Sequence, residues 1–473
     1  MTEQGTFEIT RLEEPEIHFN GGSDVSPKRG LMEYGPRLKN NEHQAINVAA
    51  IGDAESIRLL DDLFLDWSTV IHPDLDDDKI RPWRIPFPGL NSRSNLNTSI
   101  AFPERWRYRI LKGEIRSVQA HNTKEGKFQE FLSLVREEID WLSDDDPTPD
   151  VIVVCIPDGI MEELRDGKHG DVIVGGKNLH SQIKIAGMEN SIPTQLIKPE
   201  TLNTTSPQDR ATKAWNLSLG LLYKAQRGHP WKTKKMDHGT CYAGLSFYRD
   251  KDGDGNVVRA ALAHVFARKD YNIIQSEPLK DISEDENGQP HVSKKGAENI
   301  AEQIVNYYKK RNRGSVPERI VIHKSSPFWD EEREGFQAGA EEVRLHDYVH
   351  IRTRGTGVRL FPDGDFPPLR GTLLSVPDDD VHYLYTTGYV PEVATYEGSN
   401  IPEPIEIRPD VQTESDYETL CEEILFLTKL DWNTSDFAVK EPITLKVPRK
   451  VSNVISEQGI DPVEADKQYY YYM

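Results

Sequence analysis

The sequence predicts an α/β protein built as two layered domains, and three observations carry that prediction. Short, fully apolar runs such as Val151–Ile156 have the content of strands buried on both faces. Between such runs lie segments with apolar residues at helical spacing. Past about residue 205 the order changes, from strand–helix–strand units to a hairpin followed by a helix and more strands. A chain of 473 residues suits two or three domains.

Taken in order, residues 1–45 are polar, with turn signals at Gly21-Gly22, Pro27 and Gly35-Pro36, and read as an extended leader. Ile46–Ile51 is a strand-like run ending at Gly52. Ile57, Leu60, Phe64 and Trp67 follow at helical spacing. Residues 75–126 are rich in Pro, Asn and charge and read as loops with short strands. Phe128, Phe131, Leu132, Val135, Ile139 and Leu142 mark an amphipathic helix, which Asp144–Pro149 ends before the Val151–Ile156 strand. This β–α–β order predicts a Rossmann-like domain over 46–205. In the second domain, 206–473, residues 211–226 read as a helix. Tyr242–Arg249 and Val257–Phe266 form a hairpin around DKDGDGN. A helix follows from Ala297 to Tyr308, then strands at Ile320–His323, Val343–Ile351, Leu373–Val376 and Tyr383–Thr386, and a helix around Leu420–Leu427. That is the order of a ribonuclease H-like fold.

Composition narrows the class. Apolar residues make up 37% and charged residues 29%, as in a globular protein and not a disordered one. No apolar run is long enough to span a membrane, and MTEQGTFEIT lacks the pattern of a signal peptide. Cys155, Cys241 and Cys421 are far apart inside apolar runs, which argues against a disulfide framework or zinc site and for the cytoplasm. A net charge of −21 argues against a general nucleic-acid coat. Distribution matters more than the sum. Residues 210–236 hold Arg210, Lys213, Lys224, Arg227, Lys232, Lys234 and Lys235 and no acid, while acid gathers at Asp76–Asp78, Asp144–Asp146 and Asp378–Asp380. By charge alone the basic segment reads as a solvated face.

Two constellations bear on chemistry. Asp250, Asp252, Asp254 and Gly255 match the start of a calcium loop, but its twelfth position is Ala261 and the flanks alternate like strands, so a hairpin turn is the better reading. His180 and Lys184 are four apart in LHSQIK and share a helix face. With Gln195 in SIPTQLI and Lys224 in NLSLGLLYKAQRG, they supply donors that can surround a terminal phosphate. Taken singly, each reads as an ordinary surface residue.

Together with LEEPEIHF, GLMEYGPR, YAGLSFYRD, RIVIHKSS, HYLYTTGYV, LFLTKLDWN and PITLKV, these stretches occur in an order covering nearly the whole chain. In that order the sequence resembles the Argonaute family, most closely its short prokaryotic branch. The resemblance implies a MID domain over 46–205, a PIWI domain over 206–473, and an L2-like leader before them. It implies that His180, Lys184, Gln195 and Lys224 hold the 5′ phosphate of a guide strand, with Asn216 in support. His180 stands where many relatives have Tyr. Family members often add Mg2+ between guide phosphates and the C-terminal carboxylate, here that of Met473. The preceding tyrosines then pack inward; otherwise the tail frays.

The resemblance also carries an expectation of inactivity. Two-metal phosphodiester cleavage needs carboxylates converging on ions about 3.5–4 Å apart. The family's positions fall on Ser246, Ser325 and Arg449, which cannot serve, so the PIWI domain is expected to be dead; Asp250 and Asp330 are the weak substitutes nearby. MID-like sequence beginning near residue 46 implies a short form without N and PAZ domains. In that branch a partner carries an APAZ region with an NAD-hydrolysing effector, with a Sir2-type favoured and a TIR-type possible. The implied role is guide-RNA-dependent recognition of complementary single-stranded invader DNA, which activates the partner in defence against phages and plasmids. The alternatives are an active guide-dependent endonuclease and a non-enzymatic α/β protein that binds a small phosphorylated ligand.

Overall fold

The computed structural model describes residues 7–37, 42–74, 84–165, 170–203, 209–233, 239–249, 258–266, 271–275, 282–284, 289–364, 367–393, 396, 400–437, 439–457 and 468–473. The DKDGDGN turn with Asp250, the Asp76–Asp78 run, Lys234 and Lys235 lie outside these residues.

Two sheets organise the chain. Strand β1 is Glu8–Arg11 and helix α1 is Pro27–Tyr34, so the leader is not extended throughout. Then come β2 (Gln44–Asp53), α2 (Ala54–Trp67), β3 (Thr98–Ala101), β4 (Arg107–Ile110), α3 (Lys124–Ser143), β5 (Val151–Cys155), α4 (Leu179–Glu189) and β6 (Thr194–Ile197). Strands β6, β5, β2 and β3 lie side by side, with β4 on a further stretch of β2, and every pairing is parallel. All five residues of β5 are buried, as a central strand covered on both faces requires. Helix α3 buries the six apolar residues that the sequence pattern picked out. This is the Rossmann-like layer.

Helix α5 (Arg210–Gln226) leads into the second sheet. Its elements are β7 (Thr240–Arg249), β8 (Val258–Phe266), β9 (Tyr271–Gln275), α6 (Lys294–Arg311), β10 (Arg319–Lys324), α7 (Asp330–Gly339), β11 (Leu345–Arg352), β12 (Thr372–Val376), β13 (Val381–Leu384), β14 (Ile405–Pro409), α8 (Tyr417–Leu427) and α9 (Ile443–Ile455). The strand order is β1-β12-β13-β14-β11-β10-β7-β8-β9. Strands β7, β10 and β11 are parallel and the hairpin β7–β8 is antiparallel, giving the ribonuclease H-like arrangement. Strand β1 joins the far edge through β12, so the leader belongs to this sheet. No helix among the described residues is long and apolar enough to cross a membrane.

Two features fix the geometry. A Cβ on Gly244 would lie 1.5 Å from the Thr444 carbonyl oxygen, so only glycine lets α9 lie this close to β7. Glu14, which follows β1, is buried with two cations. Its carboxylate lies 2.8 Å from Arg370 Nε and 2.6 Å from Lys429 Nζ. Lys429 also donates to the carbonyls of Val25 and Phe437, and Arg370 to those of Thr386 and Leu425. Burial pushes the Glu14 carboxyl up, but the two cations win and hold it below the usual range. Glu14→Gln leaves two buried cations without their anion, an expected loss of about 3–5 kcal/mol. Chemical denaturation checks this, and a loss under about 1 kcal/mol would mean that the knot does not hold the leader.

Candidate anion pocket and nuclease-like strand ends

The residues read from the sequence as a phosphate site do converge. The Asn178 side chain caps α4 by accepting from the His180 amide at 2.9 Å. That start places His180 and Lys184 one turn apart on the helix. Gln195 sits on β6, and its Oε1 accepts from Lys224 Nζ at 2.5 Å. Lys224 occupies the last turn of α5 and is fully buried. Lys184 is buried too, and its Nζ has no hydrogen-bond partner among the described residues.

The charge pattern is lopsided. Burial pushes the Lys184 ammonium well below the usual lysine range, and Lys224 and Lys450 push it further. The same causes, burial first and then Lys450, bring Lys224 to about 7. Burial and three lysines, Lys184, Lys224 and Lys450, hold the partly buried His180 imidazole neutral, with Lys198 adding to them. Lys450, on α9, went unnoticed in the sequence. Its ammonium lies 5.9 Å from the Tyr469 ring centre. Asp431 is the buried carboxylate beside it and is shared between Lys450 and an ion pair with Lys446. An unpartnered buried ammonium beside two more cations is a site for an anion, because burial without a partner is costly.

The tail packs inward. Tyr469–Met473 are buried, with Tyr469 and Tyr470 against Tyr223 of α5. The buried Tyr469 hydroxyl has no hydrogen-bond partner among the described residues. Asn216 is turned to another task, since its Oδ1 accepts from the Ser435 amide and hydroxyl at 3.1 and 2.7 Å. Side chains around the pocket do not themselves fit Mg2+. They are cationic or neutral apart from the engaged Asp431.

The three nuclease-like positions are only partly together. Leu245 of β7 pairs in register with Lys324 of β10. Ser246 and Ser325 therefore come next on adjacent parallel strands, and both carry neutral hydroxyls. Around them charges are already matched. Lys324 and Glu332 are fully buried and 2.6 Å apart, and His323 Nδ1 lies 2.8 Å from Thr444 Oγ1. Arg449 is ion-paired with Glu441, and Asp330 with Arg333. Among the described residues no group of three or more His, Cys, Asp or Glu is placed to hold a metal ion.

No family model and no curated protein matches the chain. Solved structures do. A Clostridium butyricum Argonaute bound to a guide DNA and a 19-mer target DNA superposes with a TM-score of 0.65 at 16% identity, over 95% of this chain and 53% of that one. Aa-Ago with externally bound siRNA gives 0.60 at 16%, over 98% and 56%. Drosophila Piwi gives 0.57 at 15%, over 98% and 56%. The chain thus spans about half the length of the structures it matches, and its fold is Argonaute-like.

The folded pKa of Lys224, about 7, lies below the unfolded value of about 10.4. Folding must therefore release its proton, and stability is lost as pH falls from about 10.4 toward 7. In nucleic-acid-free protein, Lys224→Met is expected to melt above wild type at pH 7.5, with the gap closing near pH 10.5. A lower melting temperature for the variant at pH 7.5 would mean that the chain itself compensates the ammonium.

Proposed function

We propose that this chain is a guide-dependent nucleic-acid sensor that grips the 5′ phosphate of a guide strand and does not cut the target. The unpartnered Lys184 ammonium carries the reading. It sits with Lys224, Gln195 and Lys450 in a buried cationic pocket, on a fold similar to that of an Argonaute solved with guide and target strands. A phosphate dianion gives Lys184 and Lys224 the counter-charge that no carboxylate of the chain supplies, through charge-assisted hydrogen bonds. His180, neutral and partly exposed, is placed to pack on the first base and to donate one hydrogen bond.

The guide is RNA in our reading and pairs with single-stranded DNA, so that base pairing reads sequence while the protein reads backbone and shape. Ser246 and Ser325 support the absence of cutting, since hydroxyls cannot neutralise two divalent ions. The output then belongs to a partner protein, which we take to be an APAZ-containing NAD-hydrolysing effector, Sir2-type before TIR-type, acting in defence against invading DNA in the cytoplasm. The resemblance supports that part.

Three outcomes check the proposal. Wild-type protein purified from cells should carry short 5′-phosphorylated strands, and Lys184→Ala with Lys224→Ala should lose them, whereas retention would sink the pocket assignment. A matched guide and target with Mg2+ or Mn2+ should give no cleavage product. Binding should also take up protons. At pH 8 a terminal phosphate is already dianionic, with its second pKa near 6, whereas Lys224 is largely neutral until the anion raises its pKa. Affinity for a 5′-phosphorylated oligonucleotide should therefore fall as pH rises above 7, by up to about tenfold per pH unit for each such lysine. Calorimetry at pH 8 in two buffers of different ionisation enthalpy reads the uptake, and proton release would contradict the mechanism.

A further inference from the structure

Strand β1 is the outermost strand of the ribonuclease H-like sheet, and among the described residues no strand pairs with its outer edge. Glu8–Arg11 are all exposed, with Ile9 at 54%, and Phe7 just before them is 66% exposed. The Leu12 amide donates to the Gly371 carbonyl at 2.9 Å. Backbone direction alternates along a strand, so Thr10 and Glu8 also turn their amides and carbonyls toward β12. Those of Phe7, Ile9 and Arg11 therefore point outward, along the edge. On the outer face of the sheet Ile9 lies in register with Leu374 of β12, and Leu374 with Tyr383 of β13, both half-buried. Sheets guard an open edge with charge, proline or a covering element. Here Glu8 and Arg11 carry charge, but the row between them is apolar.

An open edge recruits a strand, and side-chain pattern sets the register. The segment FEITR matches itself. An antiparallel pairing about a two-fold axis at Ile9 sets Ile9 opposite its own counterpart, Glu8 opposite Thr10 and Arg11 opposite Phe7. Every outward amide of the segment then meets an outward carbonyl. Arg11 keeps its ion pair with Glu392 at 3.0 Å and brings its guanidinium to the facing Phe7 ring. The neighbouring registers are worse. An axis at Glu8 sets two carboxylates face to face. An axis at Thr10 runs the pairing into Leu12, which is buried and already bonded to Gly371. In the Ile9 register the row Tyr383–Leu374–Ile9 continues across the axis into the same row of the second copy.

We propose that β1 is a dimerisation edge, to which a second copy of this chain adds its own β1 antiparallel about an axis at Ile9. The two sheets become one. The contact is short, so the dimer belongs to the weak, concentration-dependent class. This inference goes beyond guide binding and does not depend on the lysine pocket.

The test uses the full chain, freed of nucleic acid so that no strand bridges two copies. In sedimentation equilibrium wild type should shift toward dimer as concentration rises from about 1 to about 100 μM. Ile9→Lys sets two ammonium groups at the axis and should weaken the dimer about tenfold or more. Facing residues of a hydrogen-bonded pair lie about 5.5 Å apart at Cα, within reach of a disulfide. Ile9→Cys should therefore give a disulfide-linked dimer on mild oxidation, whereas Thr10→Cys, whose counterpart sits opposite Glu8, should not. Cys155, Cys241 and Cys421 are buried, so wild type serves as the blank. The replaced side chains are exposed, and equal melting temperatures show that the variants are folded. A wild type that stays monomeric up to about 100 μM overturns the proposal. So does a dimer that Ile9→Lys leaves intact, or equal cross-linking of Ile9→Cys and Thr10→Cys. If a co-purifying protein shields Ile9→Cys from alkylation while the chain itself stays monomeric, the edge belongs to that protein and the second-copy assignment is wrong.

Discussion

Lys184, Lys224 and Lys450 bring three ammonium groups to one place, from α4, α5 and α9. The buried carboxylate of Asp431 acts on Lys450 and Lys446, and no carboxylate offsets the burial of Lys184 or Lys224. Like charges in a low-dielectric site repel, so no arrangement of this chain alone makes the pocket comfortable. Lys184 and Lys224 answer burial and that repulsion by giving up protons easily, and the surrounding structure holds their amines in place. The aromatic packing of Tyr223 on Tyr469 and Tyr470 supplies part of that restraint, and the Gln195 contact with Lys224 another part. An anion changes the balance from repulsion to attraction, and it acts on elements from both sheets at once. A site that stores unfavourable electrostatics in its empty state gives its ligand a large differential effect on the folded structure.

The same separation of roles runs through the ribonuclease H-like sheet. On one face α9 lies against β7, on the side of Gly244 and Ser246. On the other face a row through His350 and Arg408 lines an open cavity. One set of strand ends thus serves two unlike surfaces, because side-chain alternation sends neighbouring residues in opposite directions.

Much of this was legible in the sequence, for physical reasons. Strands buried on both faces must be apolar throughout, so Val151–Cys155 announced itself. The four pocket residues sit on elements whose local patterns were clear, and the resemblance joined them. Lys450 was hidden because its helix contains Pro448, which breaks the usual helical signal, and because Lys184 and Lys224, the pocket lysines it acts on, are more than two hundred residues away. Strand β14 was missed because IEIRP is short and ends in proline, and α7 because DEEREGFQAG carries little apolar periodicity. The place of β1 in the second sheet could not be read at all, since pairing across 361 or more residues leaves no local mark. Asn216 shows the converse error. Its position suggested the pocket, but its carbonyl is held by Ser435.

The missing Cβ of Gly244 has a mechanical consequence. With backbone pressed on backbone, β7 and α9 have no compressible layer of side chains between them, so a shift of one must carry the other. Lys450 rides on α9, and Ser246 rides on β7. Any displacement of α9 at the lysine pocket would therefore reach β7 with no soft layer of side chains between them at this crossing.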